Sequence, residues 1–456
     1  MIAALICAIV GASVAGDSAP SRAVLLLAGT LGGIAVLSAA VIAPRATVAM
    51  AFLLLGVVRI EPAPSDGIFL LAVAASVATG WYRRPIVPAV VGIPLAAFAL
   101  VQVLALTAAQ DLSGAIRYCA ITLYLIATGV WLTGVLADRG MARLALRCYV
   151  IGAVAAAAIA TLAVIVRFPG FEVFTYIDGS RAKALFKDPN VFGPFLIPAA
   201  LILLQDTALP RALGWSRRIC APLFFVAVIG VVFSFSRGAQ ANLALGIAVV
   251  VAVALLRRGD LLIAMRVIAV LVGVGLVGLV TLTATGNGEF LAERSQGQAY
   301  DTVRFSNQRE AAARATEHVF GSGPGSSNVE LEQASHSMYA QAAFETGVLG
   351  AALLLAILLA TTVVCARLVM RRLDVHGVDA ATLLGAWLGI LLNAAVVDTV
   401  HWRHMWVVAA LIWLGAAAQR DASGRVSGGR TPSRASTSSQ RNARLINTTT
   451  RAGRRI

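Results

Sequence analysis

Charged residues are scarce in this chain. Only 13% of its 456 residues are Asp, Glu, Lys or Arg, whereas 59% are hydrophobic. In soluble globular domains about a quarter of all residues are charged. A chain of this length with only 13% charged residues cannot cover a globular surface with polar side chains. The composition therefore excludes a cytosolic enzyme and a secreted soluble domain, and it indicates a polytopic membrane protein.

Lysine is almost absent, so arginine carries the formal net charge of +15. In a soluble domain this charge would suggest a nucleic-acid partner. Here the arginines recur in alternate loops between apolar stretches. Loops rich in arginine and lysine stay on the cytoplasmic side of a membrane, so alternate loops are expected to be cytoplasmic. We therefore expect both termini to be cytoplasmic, and no nucleic-acid partner. The loops are those with Arg83 and Arg84; Arg139, Arg143 and Arg147; Arg211, Arg217 and Arg218; Arg257, Arg258 and Arg266; and Arg367, Arg371 and Arg372.

Long apolar runs predict an all-α protein with about twelve to fourteen transmembrane helices, since a spanning helix needs about 20 apolar residues. The runs lie near 2–16, 23–43, 46–60, 67–81, 86–107, 114–137, 144–166, 191–206, 219–235, 239–256, 261–283, 338–366, 380–397 and 405–418.

These runs predict three regions. Residues 1–166 form amino-terminal transmembrane helices. Residues 167–419 form a transmembrane core with external loops at 167–190 and 284–337, of which the second is the long one. Residues 420–456 are basic and nearly free of apolar side chains, so we expect a disordered cytoplasmic tail near anionic lipid headgroups.

The first external loop combines basic side chains with a helix start. Arg181, Lys183 and Lys187 precede Pro189, and either Asp188 or Asn190 can cap the helix that begins there. A helix amino terminus beside such cations is a natural phosphate site. The alternative is a capped loop with solvated charges, and the spacing alone favours this alternative slightly.

Arg237 lies in a short outer turn between two apolar helices. A charge so close to the hydrocarbon either snorkels to the interface or contacts a ligand. In the second loop, Arg304 and Arg309 follow an amphipathic helical pattern over 304–318, and Gly321 to Gly325 form a turn.

His336 opens a long apolar helix, where it can act as a general base or as a helix cap. In the last outer turn we expect Asp398 to pair with Arg403. The sequence lacks an Asp-x-Asp motif, and its outer histidines lack ligand spacing. We therefore expect neither a metal nor a cofactor.

Read in order, these pieces resemble the O-antigen ligase and polymerase superfamily of bacterial envelope glycosyltransferases, over about residues 170–415. The matching pieces are Arg181 followed by Asp188-Pro189-Asn190-Val-Phe-Gly; Phe235-Ser236-Arg237-Gly238-Ala239; a long loop with Arg309 and Gly321-Ser-Gly323-Pro-Gly325; His336-Ser-Met-Tyr339 followed by Glu345-Thr-Gly347-Val-Leu-Gly350; and a Trp-rich last span. Ser337 stands where the family often has Asn, and residues 1–166 carry no matching motif.

The resemblance implies a metal-independent transferase in the bacterial cytoplasmic membrane, with its active face outside. It would move a glycan from a polyprenyl-diphosphate carrier to a hydroxyl on a glycan or glycolipid acceptor. Arg181, Arg237 and Arg309 would contact the diphosphate and His336 would activate the acceptor hydroxyl. Lys187, Asn190 and Arg304 are further substrate-binding candidates. The alternative function is a secondary transporter or flippase for lipid-linked sugars.

Overall fold

The computed structural model describes residues 22–428, apart from 61, 177–178, 210, 258–264, 267, 269–271, 273–298, 317–318 and 332–335. The described part is helical, with two short antiparallel hairpins. Its helices are α1 (Arg22–Ile42), α2 (Pro44–Leu53), α3 (Pro64–Thr79), α4 (Ala89–Leu104), α5 (Leu112–Val135), α6 (Arg139–Val166), α7 (Pro189–Ala208), α8 (Arg217–Phe233), α9 (Arg237–Leu256), α10 (Ala299–Arg314), α11 (Ser327–Glu330), α12 (Met338–Met370), α13 (Ala380–Ala394) and α14 (Arg403–Gly428). The strands are β1 (Thr175–Tyr176), β2 (Arg181–Ala182), β3 (Asp374–Val375) and β4 (Val378–Asp379).

The protein is an all-α polytopic membrane protein, as its composition predicts. Among the described residues, six helices are long and apolar enough to cross a membrane, and five apolar helices are shorter. The helix ends agree with the predicted runs to within five residues in the described part, with two exceptions. Helix α2 ends seven residues before the predicted run 46–60 does, and α14 continues ten residues beyond the predicted run 405–418. The predicted runs at 2–16 and 261–283 lie outside the described residues, except for four positions in the second, so the total of twelve to fourteen stays a prediction. The chain divides into one large unit, residues 1–417, and a second unit, residues 418–456.

The arginine-rich loops meet at one end of the helices. The Nε of Arg147, on α6, donates to the carbonyl oxygen of Leu213 at 2.7 Å. Arg257, after α9, forms a 2.8 Å ion pair with Asp379, which caps α13. The arginines that recur in alternate loops of the sequence therefore lie together at one end of the folded protein. The segment 167–190 and His336 lie at the other ends of these helices.

Helices α9 and α13 approach closely through glycine. A Cβ on Gly385 would lie 2.6 Å from the carbonyl oxygen of Gly246, and a Cβ on Gly238 would lie 2.6 Å from Oδ1 of Asn393. Small residues that let helix backbones touch are a common means of helix association in membranes. This contact fixes the start of α9, where Arg237 lies.

The long helix α12 is interrupted at Gly347, although the sequence predicts one continuous span. Gly347 has φ +67° and ψ −177°, a conformation that only glycine adopts readily. The amides of Ser322 and Gly323 donate to the carbonyl oxygens of Phe344 and Glu345, at 2.9 and 3.0 Å, and so satisfy groups that the break would leave unpaired. The turn predicted at Gly321–Gly325 thus serves to cover a broken helix.

Replacing Gly347 tests this interruption. In a Gly347→Ala variant this backbone conformation, which is nearly confined to glycine, costs roughly 1–3 kcal/mol, and the added Cβ also meets the carbonyl oxygen of Val319. We expect a lower melting temperature of the protein purified in detergent. Gly92→Ala on α4 is the matched control, because a Cβ there meets only Val87 at 3.7 Å. Equal melting temperatures for the two variants would contradict the interruption.

Candidate active site

A cavity of about 1000 Å³ opens at the end of the helices opposite the arginine-rich loops. It is lined by the amino-terminal ends of α3, α5, α7 and α14, by residues around the start of α12, and by the loop before α11. Of the seven predicted site residues, Lys187 and His336 line it. The other five lie outside its lining: Arg181, Asn190, Arg237, Arg304 and Arg309.

Arg181 lies in the segment 167–190, whose Lys187 lines the cavity. The β1–β2 hairpin pairs it with Tyr176, and the guanidinium carbon lies 5.9 Å from the centre of that ring. The residue is only 4% exposed. Its Nε donates to the carbonyl oxygen of Ser234 at 3.0 Å, and its Nη2 donates to Oδ1 of Asn190 at 3.4 Å. A buried guanidinium is thus tied to two other segments of the predicted site.

The two helix starts beside Arg181 are capped by side chains. Asp188 caps α7, since its Oδ1 accepts the amide of Asn190 at 2.7 Å, and Pro189 is the first helical residue. This settles which of the two predicted residues is the cap. Ser236 caps α9, and half-buried Arg237 is the first residue of that helix. Because Ser234 precedes this start, the structure brings Arg181, Asn190 and the Arg237 turn together.

His336 faces the cavity from just before α12. Ser337 is the cap of the helix, so His336 does not fill that role. The histidine is exposed and has a left-handed backbone with φ +50°. Partial burial and the nearby Arg304 guanidinium lower the pKa of His336 from its usual value, while Asp188 acts in the opposite direction. The neutral imidazole, which is the form a general base needs, is therefore favoured near neutral pH.

The two arginines of α10 differ in position. Arg304 is half-buried and close enough to His336 to affect its pKa, whereas Arg309 is exposed. On the same helix Arg314 forms a 2.8 Å ion pair with Glu330. The Glu330 side chain is only 10% exposed, so this ion pair is largely shielded from solvent.

The expected pair of Asp398 with Arg403 is wrong. Arg403 instead binds Asp66 on α3 with both ends of its guanidinium, and its Nε lies 2.6 Å from Oδ1. Asp398 pairs with His401, whose Nδ1 lies 2.6 Å from Oδ2. The reason is topological: Asp66 comes from the amino-terminal region, in which the sequence offered no motif.

The Asp398–His401 pair belongs to a polar network in the cavity wall. Tyr118 donates to Oδ2 of Asp398 at 3.2 Å, and Nε2 of His401 lies 3.1 Å from Oγ1 of Thr122. Burial alone would lower the pKa of His401, but the Asp398 carboxylate outweighs it and raises that pKa. The same pairing holds the pKa of Asp398 below its usual value against the effect of burial. The imidazolium–carboxylate form is thus favoured.

A second part of the network reaches the broken helix. Oε1 of Glu345 accepts hydrogen bonds from Ser327 at 2.6 Å and from Gln341 at 3.1 Å, and Gln341 also contacts the hydroxyl of Tyr118. Polar side chains within apolar helices were the available sequence signal for Tyr118 and Gln341. Within the described ranges, no group of three or more His, Cys, Asp or Glu side chains is arranged to hold a metal ion.

Residues 222–355 match a known protein family, described as O-Antigen ligase. The chain is thus similar to O-antigen ligases over this range. This confirms the resemblance to the ligase and polymerase superfamily, and it indicates a ligase or polymerase type of function in polysaccharide biosynthesis, with a lipid-linked glycan donor and a glycan acceptor at a membrane. The matched range contains Arg237, Arg304, Arg309 and His336, whereas Arg181 lies before it. A search of curated proteins finds no match.

The Asp66–Arg403 pair generates a stability prediction. Its side chains are only 14% and 18% exposed, and breaking a buried pair from one side leaves an uncompensated charge that costs about 3–5 kcal/mol. We expect Asp66→Asn and Arg403→Gln each to lower the melting temperature in detergent. Because the double variant buries no net charge, we expect it to lose less than the two single losses together.

The control is Arg45→Gln, whose 3.8 Å pair with Asp138 is largely exposed and should contribute little. Strictly additive losses for Asp66→Asn and Arg403→Gln would show that the two side chains do not interact.

Proposed function

We propose that the protein is a metal-independent glycosyltransferase that moves a glycan from a polyprenyl-diphosphate carrier to an acceptor hydroxyl, outside the cytoplasmic membrane. The observation that carries the proposal is the junction of Arg181, Asn190 and the Arg237 turn beside a cavity that contains His336. The family match supports the class of reaction. The donor carrier and the face of the membrane are the additional claims made here.

The arginines suit a diphosphate leaving group. When the anomeric carbon–oxygen bond breaks, the electron pair stays with the diphosphate oxygen and negative charge grows there. Arg181 is buried and anchored by Ser234 and Asn190, so its charge is already oriented before the reaction. Fixed charges aimed at developing charge are commonly the largest single contribution to catalysis.

His336 suits the opposite side of the reaction. The acceptor hydroxyl oxygen forms the new bond to the anomeric carbon, and its proton passes to the imidazole. The lowered pKa of His336 favours the neutral form that can accept this proton. The exposed side chain lines the cavity, where an acceptor can reach it.

The distribution of arginine supports an external active face. Arg147, Arg257 and their neighbours lie at the end of the helices opposite the cavity. Loops rich in arginine are retained in the cytoplasm. The cavity, Arg181 and His336 then face outward, and both termini are cytoplasmic.

The interruption of α12 favours a second candidate, a transporter or flippase for lipid-linked sugars. Broken helices at membrane depth often form transporter binding sites, and they recur in two related halves of the chain. In the part of the chain described, Gly347 marks the single helix interrupted by a non-helical residue. The glycine turn that covers this break also uses the freed carbonyls.

Deleting the gene and complementing it with variants tests the proposal. We expect the deletion to accumulate polyprenyl-linked glycan on the external leaflet, together with short or missing polymer. Arg181→Ala, Arg237→Ala and His336→Ala should each reduce transfer at least about 100-fold, the scale seen when one oriented charge-stabilising donor is removed. The measurement is mass spectrometry of extracted lipid-linked sugars.

Arg218→Ala is the control, because Arg218 is an exposed arginine at the opposite end of the helices. It should transfer glycan as the wild type does. Units trapped on the cytoplasmic leaflet would support the flippase. Normal transfer by correctly inserted Arg181→Ala and His336→Ala variants would refute the proposal.

A further inference from the structure

Two arginines of α6 meet at one turn, at the arginine-rich end of the helices. A Cβ placed on Gly214, in the turn before α8, would lie 3.2 Å from Nη2 of Arg147 and 3.9 Å from the guanidinium carbon of Arg143. Both guanidiniums therefore border the same small volume beside Gly214. Two like charges that are so close repel each other, and an anion between them removes this repulsion.

The described part of the chain supplies no anion for this volume, because its acidic side chains form no ion pair with Arg143 or Arg147. The Nε of Arg147 donates to the carbonyl oxygen of Leu213, whereas the buried Nε of Arg143 finds no hydrogen-bond partner there. A half-buried guanidinium with an unpaired donor is costly. An anion at the exposed part of the Arg143 guanidinium offsets this cost.

The carboxylate that precedes the turn, on Asp206, is already used by the backbone. Its Oδ1 accepts the amides of Arg211 and Ala212, at 3.1 and 3.0 Å, and its Oδ2 accepts the amide of Leu213 at 2.7 Å. Asp206 is fully buried. Its hydrogen bonds hold the loop that leads to Gly214, so the position of the turn beside the two arginines is fixed.

The start of α8 adds backbone donors next to the same turn. Ser216 is the cap residue of this helix, but its side chain makes no capping hydrogen bond. Gly214 and Ser216 are both exposed. The first amides of a helix without a side-chain cap are open to an anion, and the helix dipole favours one there. Guanidiniums together with open amides form a donor set that suits phosphate.

The turn lies at the depth of lipid headgroups. Helices α6 and α8 touch where a Cβ on Gly230 would lie 2.7 Å from the Cβ of Ala157, and Ala157 is near the middle of the predicted run 144–166. At 1.5 Å per residue, Arg147 and Arg143 lie about 15 and 21 Å before Ala157 along the helix. Half of the hydrocarbon core is about 15 Å thick. The two guanidiniums therefore lie where lipid phosphates do.

Exposed apolar side chains continue from the two arginines toward the middle of the membrane. Ile151, one turn after Arg147 on α6, is 47% exposed, and Ile219 in the first turn of α8 is 49% exposed. The acyl chains of a phospholipid cover such a surface, whereas a free phosphate ion makes no contact with it. The observations thus favour a phosphate that belongs to a lipid.

We propose that the phosphate of an anionic phospholipid binds between Arg143 and Arg147, beside Gly214, with its acyl chains along Ile151 and Ile219. A zwitterionic headgroup brings its own cation to the two arginines, so a headgroup with net negative charge binds more tightly. The site lies at the end of the helices opposite the cavity. It goes beyond the proposed function and holds whichever reaction the cavity supports.

A carboxylate at position 214 tests the site. Gly214 has φ +67°, a conformation that Asp and Asn tolerate better than other side chains do. In Gly214→Asp the carboxylate takes the place of the phosphate, whereas Gly214→Asn has the same shape without the charge. The full-length protein is stripped of lipid in detergent and mixed with dioleoylphosphatidylglycerol, and native mass spectrometry measures the bound lipid.

We expect Gly214→Asp to bind at least about tenfold less phosphatidylglycerol than Gly214→Asn, because one charge-assisted hydrogen bond is worth about a factor of ten. Without lipid, Gly214→Asp should also melt at a higher temperature than Gly214→Asn, since its carboxylate pairs with the two guanidiniums. Equal lipid binding and equal melting temperatures for the two variants would overturn the proposal.

Removing the two charges gives an independent measurement. The double variant Arg143→Gln/Arg147→Gln should also bind at least about tenfold less phosphatidylglycerol than the wild type. The matched control is Arg83→Gln/Arg84→Gln, which removes two exposed arginines from the same end of the helices and should bind lipid as the wild type does. Undiminished binding by the Arg143→Gln/Arg147→Gln variant would overturn the proposal.

Two competitors identify the source of the phosphate. We expect dioleoylphosphatidylcholine and inorganic phosphate, each in excess, to leave the bound phosphatidylglycerol in place. Displacement by inorganic phosphate would show a site for the free ion, and displacement by phosphatidylcholine would show a surface without preference for anionic lipid. Either result would contradict the proposed phospholipid site. None of these measurements requires glycan transfer, so their outcome is separate from that of the proposed function.

Discussion

The buried guanidinium of Arg181 is the interaction on which the proposed site depends. It joins the β1–β2 hairpin to the start of α9 through Ser234 and to the start of α7 through Asn190. A charge that is only 4% exposed is costly unless it is well paired. The close α9–α13 contact and the Asp188 cap hold the partners of Arg181 in place. The hydrogen bonds to Ser234 and Asn190 lower the cost of burying the Arg181 guanidinium, and they also fix its orientation.

The cavity beside Arg181 is built from distant parts of the chain. Asp66 and Tyr118 come from the amino-terminal helices, and Asp398, His401 and Arg403 come from the turn before α14. Their ion pairs and hydrogen bonds join helices in the wall of the cavity that His336 also lines. The break in α12 adds the glycine turn and the Glu345 contacts to that wall. The amino-terminal region thus contributes to the site, although the matched family range begins only at residue 222.

Much of the fold could be predicted because the hydrocarbon core dictates helix length and composition. Asp188 was one of two caps that local chemistry allowed for α7, whereas the cap at Ser236 was not predicted. The ordered motifs made Arg181, Arg237 and His336 candidate site residues, and these roles stay predictions. Contacts between helices could not be predicted in this way. The Asp66–Arg403 pair joins residues 337 positions apart in sequence. Asp398 pairs with His401 and not with the expected partner, Arg403. The interruption at Gly347 depends on amides from a separate loop, which no local pattern reveals.

Glycan transfer that depends on Arg181 is tested most directly with purified protein in proteoliposomes. A polyprenyl-diphosphate-linked glycan with a radiolabelled sugar is supplied together with glycolipids extracted from host membranes. We expect label to reach the glycolipid while polyprenyl diphosphate is released in equal amount, and we expect the Arg181→Ala variant to catalyse neither. Donor that crosses the bilayer intact without releasing its glycan, or an Arg181→Ala variant as active as the wild type, would contradict the proposed transferase function.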